Sequence, residues 1–329
     1  MKNVRLSVFL PDSFLAETKD LKLKTSKIGI IGRALAIFNV NKAVIYKDTT
    51  ENSFSNTNSD RNSLNRNNSS RYGLNRDSSN RNSFNRYSSN RNNLNRDNTD
   101  KTYLNRNVSD RELISKLLRY MDTPQYLRKN VFPIESDLKH VGILPPLRTP
   151  NHPTVENFGL GQYRQGLTVK RNKKGTFVDI GLDELAFCKE QLTVNKVFSF
   201  RITKIAKEIL ITPDTPNDLY WGYETTYTEK TLENSLKLVD PDFILLTTRY
   251  GDEVNSVFDN LKLKAINSKS IALIFGGPYN GIPENVCESI RAFKSDIVEV
   301  NMVPSQGTET VRTEEALIST LAILNVMLQ

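Results

Sequence analysis

The chain has 329 residues, of which 38% are hydrophobic and 25% charged, and its formal charge at pH 7 is +8. The two cysteines are far apart and only two histidines accompany them, which argues against a disulfide framework and against a metal site. No apolar run has the length of a membrane span, so we expect no membrane partner and a cytoplasmic location. The excess of basic over acidic residues favours a polyanionic partner such as nucleic acid.

The amino-terminal residues have the pattern of a β-α-β unit. Residues 5–10 and 43–46 are short apolar runs typical of strands. Between them, apolar side chains recur at the spacing of an amphipathic helix, at Ile28, Ile31, Leu35 and Phe38.

A ten-residue repeat rich in Asn, Ser and Arg follows between residues 60 and 109. Each unit has one apolar residue followed by Asn-Arg, as at Leu64, Leu74, Phe84, Leu94 and Leu104. One apolar residue in ten cannot bury enough surface to offset the entropy of ordering. The pattern therefore predicts a disordered low-complexity insertion over residues 50–108. The alternative is a flexible basic arm that contacts RNA phosphates.

Beyond the repeat, Ser109 and Glu112 have the spacing of a capping box, which begins a helix that ends before Pro124. Prolines between residues 145 and 153 indicate a stiff linker. Five short strand-like runs then follow in close order, at residues 167–169, 176–180, 184–187, 197–205 and 208–212. They favour a small barrel of the OB type, although many small β modules share this pattern.

The carboxyl-terminal part returns to an α/β pattern. Residues 243–247, 271–275 and 298–300 are predicted strands, and a last helix has Thr313 as its expected N-cap. We therefore expect an α/β domain in three pieces, 1–49, 109–147 and 217–329, interrupted by the insertion at 50–108 and by a β domain at 148–216.

Three loops follow the predicted carboxyl-terminal strands, at residues 247–252, 276–281 and 301–308. In open α/β sheets, ligands bind at such loops. Neither a dinucleotide glycine motif nor a P-loop is present, and no nucleophile elbow occurs. Each loop alone is more often a plain turn, so the spacing by itself names no ligand.

Several separated segments resemble one protein family. The two main ones are residues 274–281, IFGGPYNG, and 306–316, QGTETVRTEEA, and shorter matches lie at 27–34, 122–129, 144–153 and 219–223. They resemble RNA methyltransferases of the SPOUT (α/β-knot) class, in the archaeal and eukaryotic subfamily with an inserted OB-like domain. The resemblance covers nearly the whole chain except residues of about 50 to 108.

This resemblance implies a trefoil-knotted α/β domain, S-adenosyl-L-methionine as cofactor, and a homodimer in which the partner completes each site. It also implies an RNA substrate, with ribosomal RNA and N3 of a uridine as the suggested target, and no metal. By motif, the cofactor would be held by Thr248, Arg249, Gly276, Gly277, Gly281, Asn301, Pro304, Gln306, Gly307 and Thr308.

Candidate residues for the chemistry and for RNA follow from the same resemblance and from charge. Arg33 and Arg312 would hold RNA and polarise the target, and Glu309 would be the base, although Arg33 and Glu309 also suit ordinary structural roles. Basic side chains that would track phosphates are Lys27, Arg128, Lys129, Arg171, Lys173 and Lys174. The main alternative is a non-catalytic RNA-binding or ribosome-assembly factor; the basic charge disfavours a small-molecule enzyme.

Overall fold

The computed structural model describes residues 4–48, 109–154, 158–279 and 281–329. The predicted insertion at 50–108 lies outside these ranges. The strands are β1 Arg5–Pro11, β2 Lys42–Tyr46, β3 Tyr163–Asn172, β4 Gly175–Asp179, β5 Ala186–Cys188, β6 Val197–Ile205, β7 Ile209–Pro213, β8 Glu224–Tyr227, β9 Phe243–Glu253, β10 Ser270–Ile274 and β11 Asp296–Asn301. The α-helices are α1 Leu21–Ile37, α2 Asp110–Asp122, α3 Gln125–Val131, α4 Leu232–Val239, α5 Val254–Asn267, α6 Glu284–Arg291 and α7 Thr313–Met327.

Six of the strands form one parallel sheet in the order β11-β9-β10-β1-β2-β8. The apolar runs of β1 and β10 lie in the middle of this sheet, and Val8, Phe9 and Leu273 are fully buried. Continuous apolar strands of this kind are typical of parallel sheets that are covered on both faces. The prediction of an α/β fold is confirmed.

Helices cover both faces of the sheet. Helices α1, α2, α5 and α7 pack on one face, where Ile31, Leu117 and Leu321 belong to the larger core. Helices α4 and α6 cover the other face, where Leu236 and Ile290 pack against the sheet. None of the described helices is both long and apolar enough to cross a membrane.

The start of α2 has the predicted capping box, because the Ser109 hydroxyl accepts from the Glu112 N–H at 3.3 Å and the Glu112 carboxylate accepts from the Ser109 N–H at 3.4 Å. The start of α7 differs from the prediction. Arg312, not Thr313, is the N-cap, and its N–H donates to the Glu315 carboxylate at 3.0 Å. Thr313 is buried as the first helical residue, so its position against the core outweighs its capping preference.

The other five strands close into a barrel in the order β3-β4-β5-β7-β6, with β5 and β7 parallel and the other pairs antiparallel. Val178, Phe200 and Ile211 are buried inside it. All five predicted strands are confirmed, with β5 beginning two residues later than expected. They lie within the predicted domain 148–216; its OB type and the domain boundaries stay predictions.

A polar junction joins the barrel to the sheet. Oδ1 of Asp122, at the end of α2, accepts from the side-chain amide of Asn151 at 3.3 Å and from the N–H of Tyr223 at 3.2 Å. Nε2 of His152 donates to the carbonyl oxygen of Asp122 at 2.8 Å. Gly222 lies against Asp122 with a φ of 87°, a left-handed conformation that favours glycine.

Candidate functional site

The three candidate loops meet at one edge of the sheet. Strands β11, β9 and β10 are neighbours and run parallel, so the segments at their carboxyl ends share that edge. The grouping predicted from sequence is therefore present in the structure. Ligands of open parallel sheets bind at such an edge.

The first loop is a bulge within β9 and not a loop that ends the strand, which corrects the prediction for residues 247–252. Its register with β11 jumps from Leu246 opposite Glu299 to Asp252 opposite Val300. Residues 247–251 therefore arch out of the ladder before the strand resumes. Bulges of this kind redirect side chains next to active sites.

Gly251 lets the returning strand approach β11 closely. A Cβ at this position would lie 2.6 Å from the backbone of Glu299 and Val300. At the other end of the bulge, the Thr247 hydroxyl donates to the carbonyl oxygen of Ile274 at 2.8 Å, which fixes the first loop to the end of β10.

Side-chain hydrogen bonds connect the first loop to the third. Nη1 of Arg249 donates to the carbonyl oxygen of Glu309 at 3.3 Å, and the side-chain amide of Asn301 donates to the carbonyl oxygen of Arg249 at 3.3 Å. The side-chain amide of Gln306 donates to the carbonyl oxygens of Thr308 and Glu309 at 2.9 and 3.1 Å. Three of the predicted cofactor residues thus shape the two loops by bonding to their backbones.

The second loop is closed by two backbone hydrogen bonds, since Gly277 and Gly281 each donate to the other's carbonyl oxygen at 3.1 Å. Gly281 has a φ of 64°, which favours glycine. A Cβ on Gly276 would overlap the backbone of Gly281, so glycine is needed there for space.

A side chain at position 277 would point into the protein, where there is no room for one. A Cβ there would overlap the Asp48 carboxylate and come 2.9 Å from the Ser13 hydroxyl, which itself donates to Asp48. Phe275 lies just before this loop, and its carbonyl oxygen accepts from the Tyr46 hydroxyl at 2.7 Å. Burial, with a contribution from Asp48, raises the pKa of Tyr46 well above its usual value, so the hydroxyl stays a donor.

Two other predicted cofactor glycines face open space. A Cβ at Gly281 or at Gly307 would meet no atom within 4 Å. Between them along the chain, Ser305 has a φ of 53°, which is uncommon for a residue with a side chain. The second and third loops therefore offer uncovered backbone that a ligand can approach closely.

The predicted catalytic residues are not all together. Glu309 and Arg312 are exposed on the third loop and at the start of α7. Arg33 is half-buried, and its Nη1 donates to the carbonyl oxygens of Pro146 and Leu147 at 2.8 Å each. Both of these bonds are to the proline-rich segment that precedes the barrel, and not to the three loops.

The predicted RNA-binding residues separate into three groups. The Lys27 ammonium lies 3.8 Å from the largely buried Glu314 carboxylate. Arg128 donates to the carbonyl oxygens of Thr123 and Met121, so its guanidinium holds the end of α2, and burial lowers its pKa. The remaining residues are exposed: Lys129 on α3, and Arg171, Lys173 and Lys174 at the β3–β4 hairpin.

The loop edge also has aromatic residues that sequence reasoning missed. Tyr250 in the first loop is 82% exposed and Tyr279 in the second is 59% exposed. Nη2 of Arg249 donates to the Tyr250 hydroxyl at 2.7 Å, and the guanidinium lies 4.8 Å from the ring centroid. The signal in the sequence was the position of both tyrosines next to glycines, Tyr250 before Gly251 and Tyr279 between Gly277 and Gly281. Among the described residues, no group of His, Cys, Asp or Glu is arranged to hold a metal ion.

Comparison with known proteins adds a family. A family model described as "Putative RNA methyltransferase" matches residues 5–324. The chain belongs to this RNA methyltransferase family. The match includes all three loops, and it confirms the predicted resemblance at the level of an RNA methyltransferase.

Individual proteins similar to this chain agree with this assignment. The chain is 30% identical over 236 residues to a 28S rRNA (uridine-N(3))-methyltransferase of Drosophila melanogaster, covering 66% of this chain and 47% of that protein. It is 24% identical over 351 residues to the human protein of the same name, covering 97% of this chain and 77% of that protein. An uncharacterized protein of Halobacterium salinarum is 22% identical over 334 residues, covering 97% of this chain and 98% of that protein. The chain thus spans about half the length of the Drosophila relative.

Proposed function

We propose that this protein is an S-adenosylmethionine-dependent methyltransferase of the SPOUT class that modifies ribosomal RNA. The observation that carries the proposal is the convergence of three glycine-containing loops at one sheet edge, with Arg249 and Gln306 bonded to the backbone of the third loop. Relatives named as 28S rRNA (uridine-N(3))-methyltransferases support the substrate. We include in this proposal a trefoil knot and a cytoplasmic location.

The loop residues suit a cofactor that is held mainly by backbone. The open space at Gly281 and Gly307 gives a ligand close access to the chain, and the side chains of Arg249, Asn301 and Gln306 are already committed to holding the loops in place. Such fixed surroundings reduce the ordering that binding would otherwise require. When bound, S-adenosylmethionine would supply a methyl group on a positively charged sulfur.

Residues at the start of α7 suit the transfer of a proton. N3 of a neutral uridine carries a proton, so methylation at that nitrogen requires its removal. The exposed Glu309 carboxylate is our candidate acceptor, because it lies on the loop whose backbone Arg249 and Gln306 hold. Arg312, three residues along, is our candidate for holding the RNA near that carboxylate.

We also propose that the protein acts as a homodimer in which the partner completes each site. The Arg33 guanidinium is bonded to Pro146 and Leu147 of its own chain and not to the loops, and we assign it to the partner's site. The neighbouring helices α1 and α7 have exposed apolar side chains, with Ile30 and Ile318 each 40% exposed, Ile37 56% and Val326 62%. Apolar side chains left in water on adjacent helices favour an interface.

Titration calorimetry with S-adenosylmethionine and with its demethylated product tests the cofactor directly. We expect binding of both, together with transfer of a labelled methyl group to ribosomal RNA from cells that lack the protein. Mapping the modified nucleotide would identify the target, and light scattering would give the oligomeric state. RNA binding without measurable affinity for either cofactor form would overturn the enzyme and leave a non-catalytic RNA-binding factor.

A further inference from the structure

A row of side chains on the barrel crosses all five of its strands. Along this row, Lys170 lies opposite Phe177, Phe177 opposite Phe187, Phe187 opposite Leu210, and Leu210 opposite Lys204. Four strand spacings of about 4.8 Å make it about 19 Å long on the surface. We call these five residues the barrel row.

The barrel row faces outward. The adjacent register row consists of Thr176, Cys188, Ile211 and Ile202, and all four side chains are buried inside the barrel. Successive side chains of a strand point to opposite faces, so the barrel row lies on the outer surface. Its two lysines are exposed, and its three apolar members are half-buried.

The two phenylalanines form a fixed pair at the centre of the row. Their ring centroids are 5.2 Å apart with an angle of 58° between the planes. The Lys170 ammonium lies 5.1 Å from the Phe177 ring centroid. A Cβ on Gly175 would lie 2.7 Å from the Phe187 ring, so the absence of a side chain there leaves room for that ring. Half-exposed aromatic rings beside a cation are what a nucleic-acid base stacks on.

Charge is distributed unequally along the row. Its Lys170 end continues into the β3–β4 hairpin, where Arg171, Lys173 and Lys174 are exposed and no acidic residue intervenes. The opposite end is mixed, because the groups around Lys204 and Leu210 include Lys189, Lys207, Glu184, Glu190 and Glu208. A polyanion is therefore attracted to the hairpin end and not to the whole row.

The hairpin is held in one conformation. Oδ1 of Asn172 accepts from the N–H groups of Lys174 and Gly175 at 2.8 and 3.2 Å, and the Asn172 carbonyl oxygen accepts from Gln191 at 2.6 Å. At the other end, Leu210 separates two grooves of about 620 and 140 Å³. The surface thus combines a rigid basic edge, an aromatic centre and, beyond it, grooves lined by both charged and apolar side chains.

We propose that the barrel row binds an unpaired segment of the RNA substrate, with bases stacked on Phe177 and Phe187 and phosphates along the hairpin. The inference rests on the proposed function and adds to it a second contact with RNA, outside the loop edge. An unpaired strand is required because the bases of a duplex are stacked on each other and cannot offer their faces to side chains. Three glutamates and three lysines near Leu210 balance each other, so that side offers phosphates no net attraction.

The test uses the full-length protein and a fluorescent twelve-residue oligouridine, alone or paired with oligoadenosine. The variants are Phe177→Leu and Phe187→Leu, which keep an apolar side chain and remove the ring. Phe198→Leu is the control for loss of a ring from the barrel, since Phe198 packs against the barrel core and lies off the row. Lys173→Gln with Lys174→Gln removes charge and keeps the rings.

We expect each ring variant to weaken binding of the single strand about fivefold or more, with the same salt dependence as the wild type. The double lysine variant should reduce the slope of log affinity against log salt by about 1.4. Affinity for S-adenosylmethionine should stay unchanged in all of them, which separates this inference from the proposed function. Equal affinity of the Phe177, Phe187 and Phe198 variants, or preference for the duplex, would overturn it, and the row would then be a surface for another partner.

Discussion

Gly277 lies directly against Asp48, so closely that a Cβ on the glycine would overlap the carboxylate. The second loop therefore packs, on its inner side, against the polar pair of Ser13 and Asp48 that follows β1 and β2. Its position depends on strands at the other end of the sequence. Substitutions at Gly277 act through this contact before they affect any ligand.

We expect Gly277→Ala to destabilise the protein by about 1–3 kcal/mol, the usual cost of forcing a methyl group into filled space. Denaturant unfolding would measure this loss. Gly142→Ala is the matched control, because a Cβ there meets nothing within 4 Å. Equal unfolding midpoints for the two variants would contradict the close packing of Gly277 on Asp48.

Gly307→Val tests the cofactor loop without this complication. The new side chain would point into open space, and the φ of Gly307 is not in the left-handed region, so stability should change little. If the cofactor lies over this backbone, its affinity should fall at least tenfold, about 1.4 kcal/mol. Calorimetry on this variant and on Gly142→Val makes the comparison. Unchanged affinity would place the cofactor elsewhere.

The junction of Asp122 and His152 predicts opposing pH effects. Burial raises the pKa of Asp122 to about 7, so this group's contribution to stability is greatest at low pH and is lost as pH rises from about 4 to 7. Burial lowers the pKa of His152 to about 4, so its contribution is lost as pH falls from about 6.5 to 4. Between pH 4 and 6.5 the two slopes have opposite signs and largely cancel.

Removing either group should make the pH dependence that the other gives to the free energy of unfolding measurable. In Asp122→Asn only His152 titrates, so this variant should lose stability relative to the wild type as pH falls below about 6.5. In His152→Gln only Asp122 titrates, so this variant should lose stability relative to the wild type as pH rises from about 4 to 7. One proton corresponds to at most about 1.4 kcal/mol per pH unit. Unfolding of the three proteins from pH 4.5 to 7.5 measures the differences. Parallel curves for wild type and variants would show that neither group titrates as described.

Deletion of residues 50–108 should leave the fold and the cofactor affinity unchanged and weaken RNA binding. This segment has ten basic and five acidic side chains, so it supplies five of the chain's eight net positive charges. Loss of those charges should flatten the salt dependence of RNA binding. A same-length segment with its nine arginines replaced by glutamine is the control for charge. A deletion variant that is unfolded, or that binds RNA with the wild-type salt slope, would contradict the prediction.

Sequence patterns identified the elements that have strong local signals. The capping box of α2, the central strands β1 and β10 and all five barrel strands were predicted because periodicity and turn residues are local properties. Helices α4 and α6 were not predicted, since each has only eight residues and too few repeats of the helical period.

Long-range contacts explain what the sequence did not reveal about the site. The bulge at residues 247–251 follows from how β9 passes β11, a long-range contact that the local sequence does not specify. Arg128 was predicted to contact RNA because its carbonyl acceptors, at the end of α2, come within reach only when α3 packs beside that end. The sequence likewise did not determine that the Phe177 side chain points outward, because this depends on the register of β4 with β3 and β5 in the barrel.

The central strand β1 pairs on one side with β10, so Arg5 finds its partner Ser270 near the opposite end of the chain. During synthesis at about 5–20 residues per second, the first β-α-β unit therefore waits roughly 10 to 50 s for that partner to be made. Until β8 and β10 are made, the pair of β1 and β2, with the apolar side chains of Val8 and Phe9, is open at both edges. We therefore expect this nascent segment to be prone to pairing with other chains until the native sheet has formed.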